Sequence, residues 1–188
     1  MSLVPQRRTS RLVLRGFEPS DLAPFAAMNA DPRVMAFYVA TLSEAQSDEF
    51  VARVASTWRE WDFGLWALER REDGAFLGYA GLWPVPLPVP VEPRVEVGWR
   101  LAAEHWGRGY ATEAAHAALA YAFADLGRDE VVSFTSVSNT RSRAVMNRLG
   151  MTRDPDGDFD HPALPPGHPL RAHLLYRKRS ESISPRQE

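Results

Sequence analysis

The sequence of 188 residues contains no cysteine. Disulfide bonds, thiol nucleophiles, iron–sulfur clusters and thiolate zinc sites are therefore all excluded. Lys178 is the only lysine, which excludes a Schiff-base lysine in the body of the domain and a phosphate-binding loop of the Gly-Lys-Ser/Thr type. No apolar run reaches the length of about 18 residues that a membrane-spanning helix needs, so no membrane partner is expected.

An excess of positive charge is missing as well. The 22 Lys and Arg residues face 24 Asp and Glu residues, which gives a net charge of −2 and a pI of about 6.2. Such a balance provides no excess of positive charge that could bind a polyanion, so no nucleic-acid partner is expected. Residues 1–11 are polar and lack the apolar stretch of a secretory signal, which favours a soluble, cytoplasmic protein.

The chain has an ordinary hydrophobic content of 45%, which suits one compact domain. Periodicity and turn signals predict the order β, helices, β-β-β, helix, β, helix, β-β, which indicates an α/β domain with helices on a mixed sheet. Ser43 and Gln46 form a candidate capping box, and Asp73-Gly74 predicts a hairpin turn. Five prolines between positions 84 and 93 predict an extended connector, and Gly98 predicts a bulge in the following strand.

The end of the chain predicts a strand pair, Met151–Asp154 and Leu170–Arg177, around a long acidic loop. Residues 179–188 and residues 1–8 are predicted to be flexible. His161, His168 and His173 lie close in sequence but are not accompanied by a recognisable second set of ligands, so no metal site is expected.

The segment Glu104–Glu113 carries the most chemical information, because it joins a predicted strand to a predicted helix. Two glycines and small residues allow close backbone approach, and the amides at a helix N-terminus favour a phosphate or pyrophosphate. A simple turn with two glycines is the alternative. A dinucleotide fingerprint fails, since Thr112 occupies the position of its third glycine.

This segment resembles the acyl-CoA loop of GNAT acetyltransferases. The string Trp106–Ala111 (Trp-Gly-Arg-Gly-Tyr-Ala) is similar to the branch that contains the Rim-type ribosomal-protein N-terminal acetyltransferases. Asn139–Ser142, the later Arg148–Met151 and the two ends of the domain fit the same family. The resemblance covers residues 9–178 and implies a single GNAT domain. In this fold a mixed, mostly antiparallel sheet with helices on both faces splits into a V between two parallel strands.

The resemblance also implies acetyl-CoA as co-substrate, and no metal. The expected backbone contacts to the pantetheine arm come from Trp99, Arg100 and Leu101, while Asn139 is expected to bind a pantetheine amide. Arg148 either reaches the nucleotide or is merely solvated. The residues expected to hold the pyrophosphate form one continuous loop: Trp106, Gly107, Arg108, Gly109, Tyr110, Ala111 and Thr112. Trp106 replaces the Gln or Arg that is common in the family, which should not abolish binding through backbone amides.

Three residues are candidates for the chemistry, namely Ser142, Asn139 and Glu96. Many family members carry a tyrosine seven residues after the Asn to protonate the leaving thiolate, but Met146 occupies that position and cannot donate a proton. Ser142 is the candidate acid in its place, with a helix-start serine as the alternative. Glu96 is a candidate base, or a solvent-facing strand residue.

The implied reaction is transfer of an acetyl group to a primary amine by direct attack through a tetrahedral intermediate. The acceptor is left open between a peptide or protein N-terminus, an amino acid, and a small-molecule amine such as an aminoglycoside or polyamine. The acidic run Asp154–Asp160 favours a cationic acceptor or is only a solvated loop. A catalytically idle acyl-CoA-binding or interaction domain is the competing hypothesis. The sequence leaves the oligomeric state open, although the resemblance allows a homodimer because dimers are common in the family.

Overall fold

The protein, seen in a computed structural model that describes residues 4–86 and 88–180, forms a mixed sheet of eight strands with four α-helices in that part of the chain. The strands in chain order are β1 Arg7–Arg8, β2 Leu12–Arg15, β3 Leu65–Arg70, β4 Phe76–Pro84, β5 Val95–Leu101, β6 Glu130–Ser136, β7 Thr152–Asp160 and β8 Ala172–Arg179. The helices are α1 Leu22–Ala30, α2 Glu44–Trp61, α3 Tyr110–Ala120 and α4 Thr140–Arg148.

The strand order is β1-β2-β3-β4-β5-β6-β8-β7, and every neighbouring pair is antiparallel except β5 and β6. The parallel pair is in register at one position only, Glu96 opposite Val132. Beyond that position the two strands separate, which opens the sheet as a V. The predicted fold class is therefore confirmed.

Helices cover both faces of the sheet, as neighbouring residues of β4 show. Tyr79 packs against Phe25 of α1 and Phe50 of α2. The next residue of β4, Ala80, points to the opposite face together with its partner Trp66, which packs against Tyr121 at the end of α3. The main hydrophobic core draws residues from both layers.

Local capping explains where the helices begin. The Ser43 hydroxyl accepts a bond from the Gln46 amide, and the Gln46 side chain accepts one from the Ser43 amide, which confirms the predicted capping box at the start of α2. Helix α4 begins after Asn139, whose side-chain oxygen accepts a bond from the Ser142 amide at 3.2 Å. Helix α3 begins after Gly109, whose φ of +81° a residue with a side chain rarely adopts.

Two expectations about the strands are wrong. The acidic stretch is not a loop, because β7 continues through it to Asp160 and pairs again with β8 at Phe159 after an irregularity. Gly98 is not a bulge, because the β4–β5 ladder runs from Val95 to Leu101 without a register shift. The irregularity next to this ladder lies instead between β3 and β4, at Leu68.

The sheet extends slightly beyond the predicted domain limits of residues 9 and 178. Strand β1 at Arg7–Arg8 pairs with β2, so the sheet begins before residue 9, and β8 ends at Arg179. Residues 1–3 and 181–188, which were expected to be flexible, lie outside the described residues. No helix in the described ranges is long and apolar enough to cross a membrane.

Candidate active site at the split of the sheet

Two cavities meet where β5 and β6 separate. The first, here called the loop cavity, has a volume of about 510 Å³ and adjoins the Trp106–Thr112 loop. Its lining comprises Arg33, Val34, Phe37, Tyr38, Trp99, Arg100, Leu101, His105, Trp106, Gly107, Gly109, Tyr110, Ala111, Thr112, Asn139, Arg141, Ser142, Ala144, Val145 and Arg148.

The second cavity, here called the Glu96 cavity, has a volume of about 420 Å³. Aromatic and hydroxyl-bearing side chains dominate its wall. Its lining comprises Phe37, Tyr38, Val39, Phe50, Leu65, Tyr79, Trp83, Glu96, Gly98, Trp99, Arg100, Ser133, Phe134, Thr135, Ser136, Asn139, Ser142, Met146, His161, Leu164, Leu170 and His173.

The two cavities share a wall. Six residues line both of them, namely Phe37, Tyr38, Trp99, Arg100, Asn139 and Ser142. Four of these six were singled out from the sequence, and the structure brings them together. Phe37 and Tyr38 were missed, because they lie in the segment between α1 and α2 and belong to no recognisable motif.

The loop itself is shaped for close approach of a ligand to the backbone. Gly107 and Gly109 have φ values of +74° and +81°, and a Cβ added at Gly107 would meet no atom within 4 Å. The Trp106 indole donates a hydrogen bond of 2.8 Å to the Leu101 carbonyl, which holds the loop against the end of β5. The first backbone amides of α3 have no partner within the helix and lie at this loop, so they favour an anionic group.

A clamp from the N-terminal turn fixes the start of α3. Glu113 accepts hydrogen bonds from Thr9, Ser10 and Arg11, and the Arg11 guanidinium also donates to the Arg108 carbonyl. Burial alone would raise the pKa of the Glu113 carboxyl, but the hydrogen bonds from Thr9 and Arg11 lower it. Sequence reasoning missed this clamp, because its partners are about a hundred positions apart.

Several arginine side chains line the loop cavity and give it positive charge. Arg33, Arg141 and Arg148 line it, and the Arg141 guanidinium lies 4.4 Å from the centre of the Trp106 ring. The exposed Arg108 is not among the lining residues, although the sequence predicted it as a binding residue. Arg141 was missed as a binding residue, although it belongs to the Asn139–Ser142 segment.

Asn139 and Ser142 form a hydrogen-bonded pair in the shared wall. The Asn139 amide nitrogen donates to the Thr135 hydroxyl at 3.0 Å and to the Ser142 hydroxyl at 3.1 Å. Because Ser142 accepts this bond, its own hydroxyl hydrogen stays available for another acceptor. Both amide hydrogens of Asn139 are used within the protein, so the predicted bond from this group to pantetheine would have to replace one of these contacts. Asn139 thus positions the Ser142 hydroxyl.

Glu96 lies half-buried in its cavity, beside the last point at which β5 and β6 are paired. Burial raises the pKa of the Glu96 carboxyl to about 8, and a hydrogen bond from the Phe134 amide opposes this only in part. No arginine or lysine in the described ranges lies within salt-bridge distance of it. Near neutral pH the group can therefore exchange a proton with a bound molecule.

Other ionisable and core side chains complete the Glu96 cavity. Met146 is 1% exposed and packs in the main core, so no phenol stands at the position where many GNAT enzymes have one. The rings of His161 and His173 lie 5.1 Å apart, and burial lowers the pKa of both. Among residues 4–86 and 88–180, no group of three or more His, Cys, Asp or Glu is arranged to hold a metal ion.

Comparison with known proteins places the chain in a family. Residues 11–152 match the model of the acetyltransferase (GNAT) domain. The protein YkkB of Bacillus subtilis is 33% identical over 144 residues, which cover 76% of this chain and 83% of YkkB.

Solved structures agree with this assignment. An acetyltransferase from Agrobacterium tumefaciens is 31% identical and superposes with a TM-score of 0.76, covering 94% of this chain and 95% of that protein. The ribosomal-protein-S5-alanine acetyltransferase of Vibrio fischeri shares the fold, with a TM-score of 0.72 at 14% identity over 96% of this chain and all of that one. The putative ribosomal N-acetyltransferase YdaF of Bacillus subtilis is 25% identical over 147 residues, which cover 76% of this chain and 79% of YdaF, in line with the Rim-type resemblance. The chain therefore belongs to the GNAT family and is an N-acetyltransferase.

Proposed function

We propose that this enzyme transfers the acetyl group of acetyl-CoA to a primary amine of a peptide or a small molecule. The observation that carries the proposal is the shared wall of the two cavities. A thioester entering from the loop cavity and an amine entering from the Glu96 cavity meet beside Trp99, Arg100 and Ser142. A catalytically idle acyl-CoA-binding domain would need only the loop cavity. Such a domain would have no use for the Glu96 carboxyl and the Ser142 hydroxyl, which both line the Glu96 cavity.

The residues around the loop cavity suit acetyl-CoA. The loop from Trp106 to Thr112 would hold the pyrophosphate through its backbone, because its two glycines leave room and the first amides of α3 point to it. Arg141 and Arg148 would supply positive charge towards the phosphates. Strand β5, at Trp99–Leu101, would present its free backbone edge to the pantetheine arm, since β6 has already separated from it.

The chemistry then divides among three groups. Glu96 takes a proton from the ammonium, directly or through water, and the freed amine attacks the carbonyl carbon of the thioester. A backbone amide near Gly98–Arg100 stabilises the oxyanion of the tetrahedral intermediate. The carbon–sulfur bond breaks, and Ser142 donates its hydroxyl hydrogen to the departing sulfur while Asn139 holds its oxygen in place. The nitrogen, which is positively charged after the attack, releases its second proton to solvent to give the neutral amide, and the serine and Glu96 exchange protons with solvent to return to their starting states.

Ser142→Ala tests this assignment. General-acid catalysis contributes roughly 10²–10⁴-fold, so we expect the turnover number to fall by at least about tenfold, while acetyl-CoA affinity stays within about twofold. Release of free thiol measures turnover, and calorimetry measures affinity. Ser138→Ala is the matched control, because this exposed serine lies four residues earlier and lines neither cavity. Wild-type turnover in Ser142→Ala would return the serine to a structural role.

A further inference from the structure

The Glu96 cavity contains little charge for a site that binds an amine. Among its described lining residues, Glu96 is the only carboxylate and Arg100 is the only arginine. The two histidines in the wall have pKa values lowered by burial and are neutral near pH 7. One carboxyl group and one guanidinium group therefore face a bound acceptor.

The charge of Arg100 is not neutralised within the described part of the protein. Its side chain is 7% exposed in total, and one guanidinium nitrogen donates to the neutral Asn29 side-chain oxygen at 2.6 Å. The guanidinium also lies 4.0 Å from the centre of the Tyr38 ring, and no carboxylate among the described residues pairs with it. Arg15, the other buried arginine, pairs instead with Asp21 at 2.6 Å. The positive charge of Arg100 thus acts on whatever occupies the cavity.

Glu96 and Arg100 lie on the same strand and point to the same face, with Gly98 midway between them. Four positions along a strand correspond to about 13 Å between Cα atoms. A Cβ added at Gly98 would meet no atom within 4 Å, so the space between the two charged groups is open. An acceptor lying over Gly98 with its ammonium at Glu96 extends towards Arg100, where a second ammonium would be repelled.

Flat aromatic surfaces border this space on two sides. Phe50 and Trp83 stack with their ring planes 9° apart and their centres 5.9 Å apart. On the side of β6 and β8, Phe134 packs against His173. Such surfaces favour an aliphatic or aromatic body on the acceptor.

The acidic stretch does not change this balance. Three of its four aspartates form ion pairs with arginines, as Asp154 does with Arg177 at 2.5 Å and Asp160 with Arg171 at 3.0 Å. Asp158 pairs with Arg153 in the same way. None of the four lines the Glu96 cavity, so these carboxylates do not favour a cationic acceptor there.

We propose that the acceptor carries a single ammonium group on an apolar body, and that Arg100 selects against a second cation. Polyamines and aminoglycosides are then poor acceptors. This inference rests on the proposed acetyl transfer, because it identifies the amine that enters the Glu96 cavity.

The test compares pentylamine with 1,5-diaminopentane, which has the same length and a second ammonium. With acetyl-CoA and thiol detection, we expect kcat/KM for pentylamine to exceed that for the diamine by at least about tenfold, and 2-phenylethylamine to equal or exceed pentylamine. A tripeptide with an N-terminal phenylalanine, in the same assay, distinguishes a peptide source of this chemistry from a free amine.

Arg100→Gln should reduce the ratio between the two amines to about threefold or less. Arg59→Gln, which removes the same charge from an exposed position of α2, should leave the ratio unchanged. If Arg100→Gln does not fold, the ratio of kcat/KM for pentylamine to kcat/KM for the diamine in the wild type still tests whether the acceptor carries a single ammonium group. Equal or better turnover of the diamine overturns the inference and leaves acetyl transfer standing. A large ratio that persists in a folded Arg100→Gln overturns the role of Arg100, and no thiol release with any of these amines overturns the proposed function as well.

Discussion

Glu96 and Ser142 face the point where the two cavities meet, but the protein prepares them differently. Glu96 forms no salt bridge within the described residues, and burial raises the pKa of its carboxyl to about 8. Ser142 instead accepts a hydrogen bond from the Asn139 side chain, which holds its hydroxyl in place. Desolvation sets the pKa of the Glu96 carboxyl, whereas a hydrogen bond sets the position of the Ser142 hydroxyl.

The raised pKa of Glu96 predicts how activity depends on pH. The base works when ionised, so kcat/KM should rise with pH through about 8, and Glu96→Gln should lack this limb and lose at least about tenfold in rate. Ionisation of the amine affects both enzymes alike, so the difference between the two pH profiles isolates the carboxyl. Glu72→Gln, in the exposed β3–β4 turn, is the control. Parallel profiles for wild type and Glu96→Gln would exclude Glu96 as the base.

The raised pKa of Glu96 also affects how the free energy of unfolding depends on pH. The effect is opposite in sign to that of a carboxylate in an ion pair, whose pKa is lowered. The native state holds the Glu96 proton up to about pH 8, whereas the unfolded chain releases it near 4.5. Between these values the native state binds more protons, so the free energy of unfolding should fall as pH rises. Denaturant unfolding of wild type and Glu96→Gln across this range should show a steeper fall in the wild type.

At the scale of elements, the Trp106–Thr112 loop and helix α3 act together. The loop needs left-handed backbone at Gly107 and Gly109, and the helix places its first amides beside them. The Arg11–Glu113 clamp then joins this helix to the turn between β1 and β2. Because the loop is held from outside, it would not have to become ordered to bind the proposed pyrophosphate, which would lower the cost of binding.

Gly107→Glu tests the loop assignment. A carboxylate placed in the open space at Gly107 would repel the pyrophosphate, so acetyl-CoA affinity should fall at least about tenfold, or about 1.4 kcal/mol. Gly74→Glu is a matched control, because Gly74 has a φ of +73°, close to the +74° of Gly107, and equally open surroundings in the β3–β4 turn. It therefore carries the same backbone strain and the same charge. Unchanged affinity of Gly107→Glu in calorimetry would show that the loop does not bind the pyrophosphate.

At the scale of the whole molecule, a buried charge network joins the sheet to the helices on one of its faces. Arg15 of β2 contacts Asp21, which precedes α1, at 2.6 Å and Glu69 of β3 at 2.7 Å. The hydrogen bond from Arg15 to Asp21 makes the largest contribution to the raised pKa of the guanidinium. This contact holds the start of α1 against the sheet. It thereby also helps to position the segment after α1, which contains Tyr38 of the shared cavity wall.

Asp21→Ala should therefore destabilise the fold by about 3 kcal/mol, because it leaves a buried arginine with one of its carboxylates missing. Urea unfolding followed by circular dichroism measures this change. Asp48→Ala, at an exposed position of α2, should change the free energy of unfolding by less than about 0.5 kcal/mol. Equal effects of the two variants would mean that the network does not stabilise the fold.

Much of the architecture could be predicted from neighbours along the chain. The capping box joins Ser43 to Gln46, and the hairpin turn needs only Gly74 to adopt a positive φ. The loop between β5 and α3 and the Asn139–Ser142 segment likewise lie within short stretches. The errors at β7 and Gly98 arose where pairing with another strand decides the conformation, as the contact of Asp154 with Arg177, 23 positions away, shows.

The sequence by itself determined the fold class, the family, and the loop and helix start that indicate an acyl-CoA site, because these depend on residue spacing within single elements. Only the tertiary structure decided that Tyr38 joins the wall shared by both cavities, and that Arg100 contacts Asn29, 71 positions away, while no carboxylate in the described part of the chain pairs with it. Such contacts form when helices pack onto a sheet, and many remote side chains compete for each position. The charge and shape of the acceptor site therefore follow from packing, which short-range patterns do not encode.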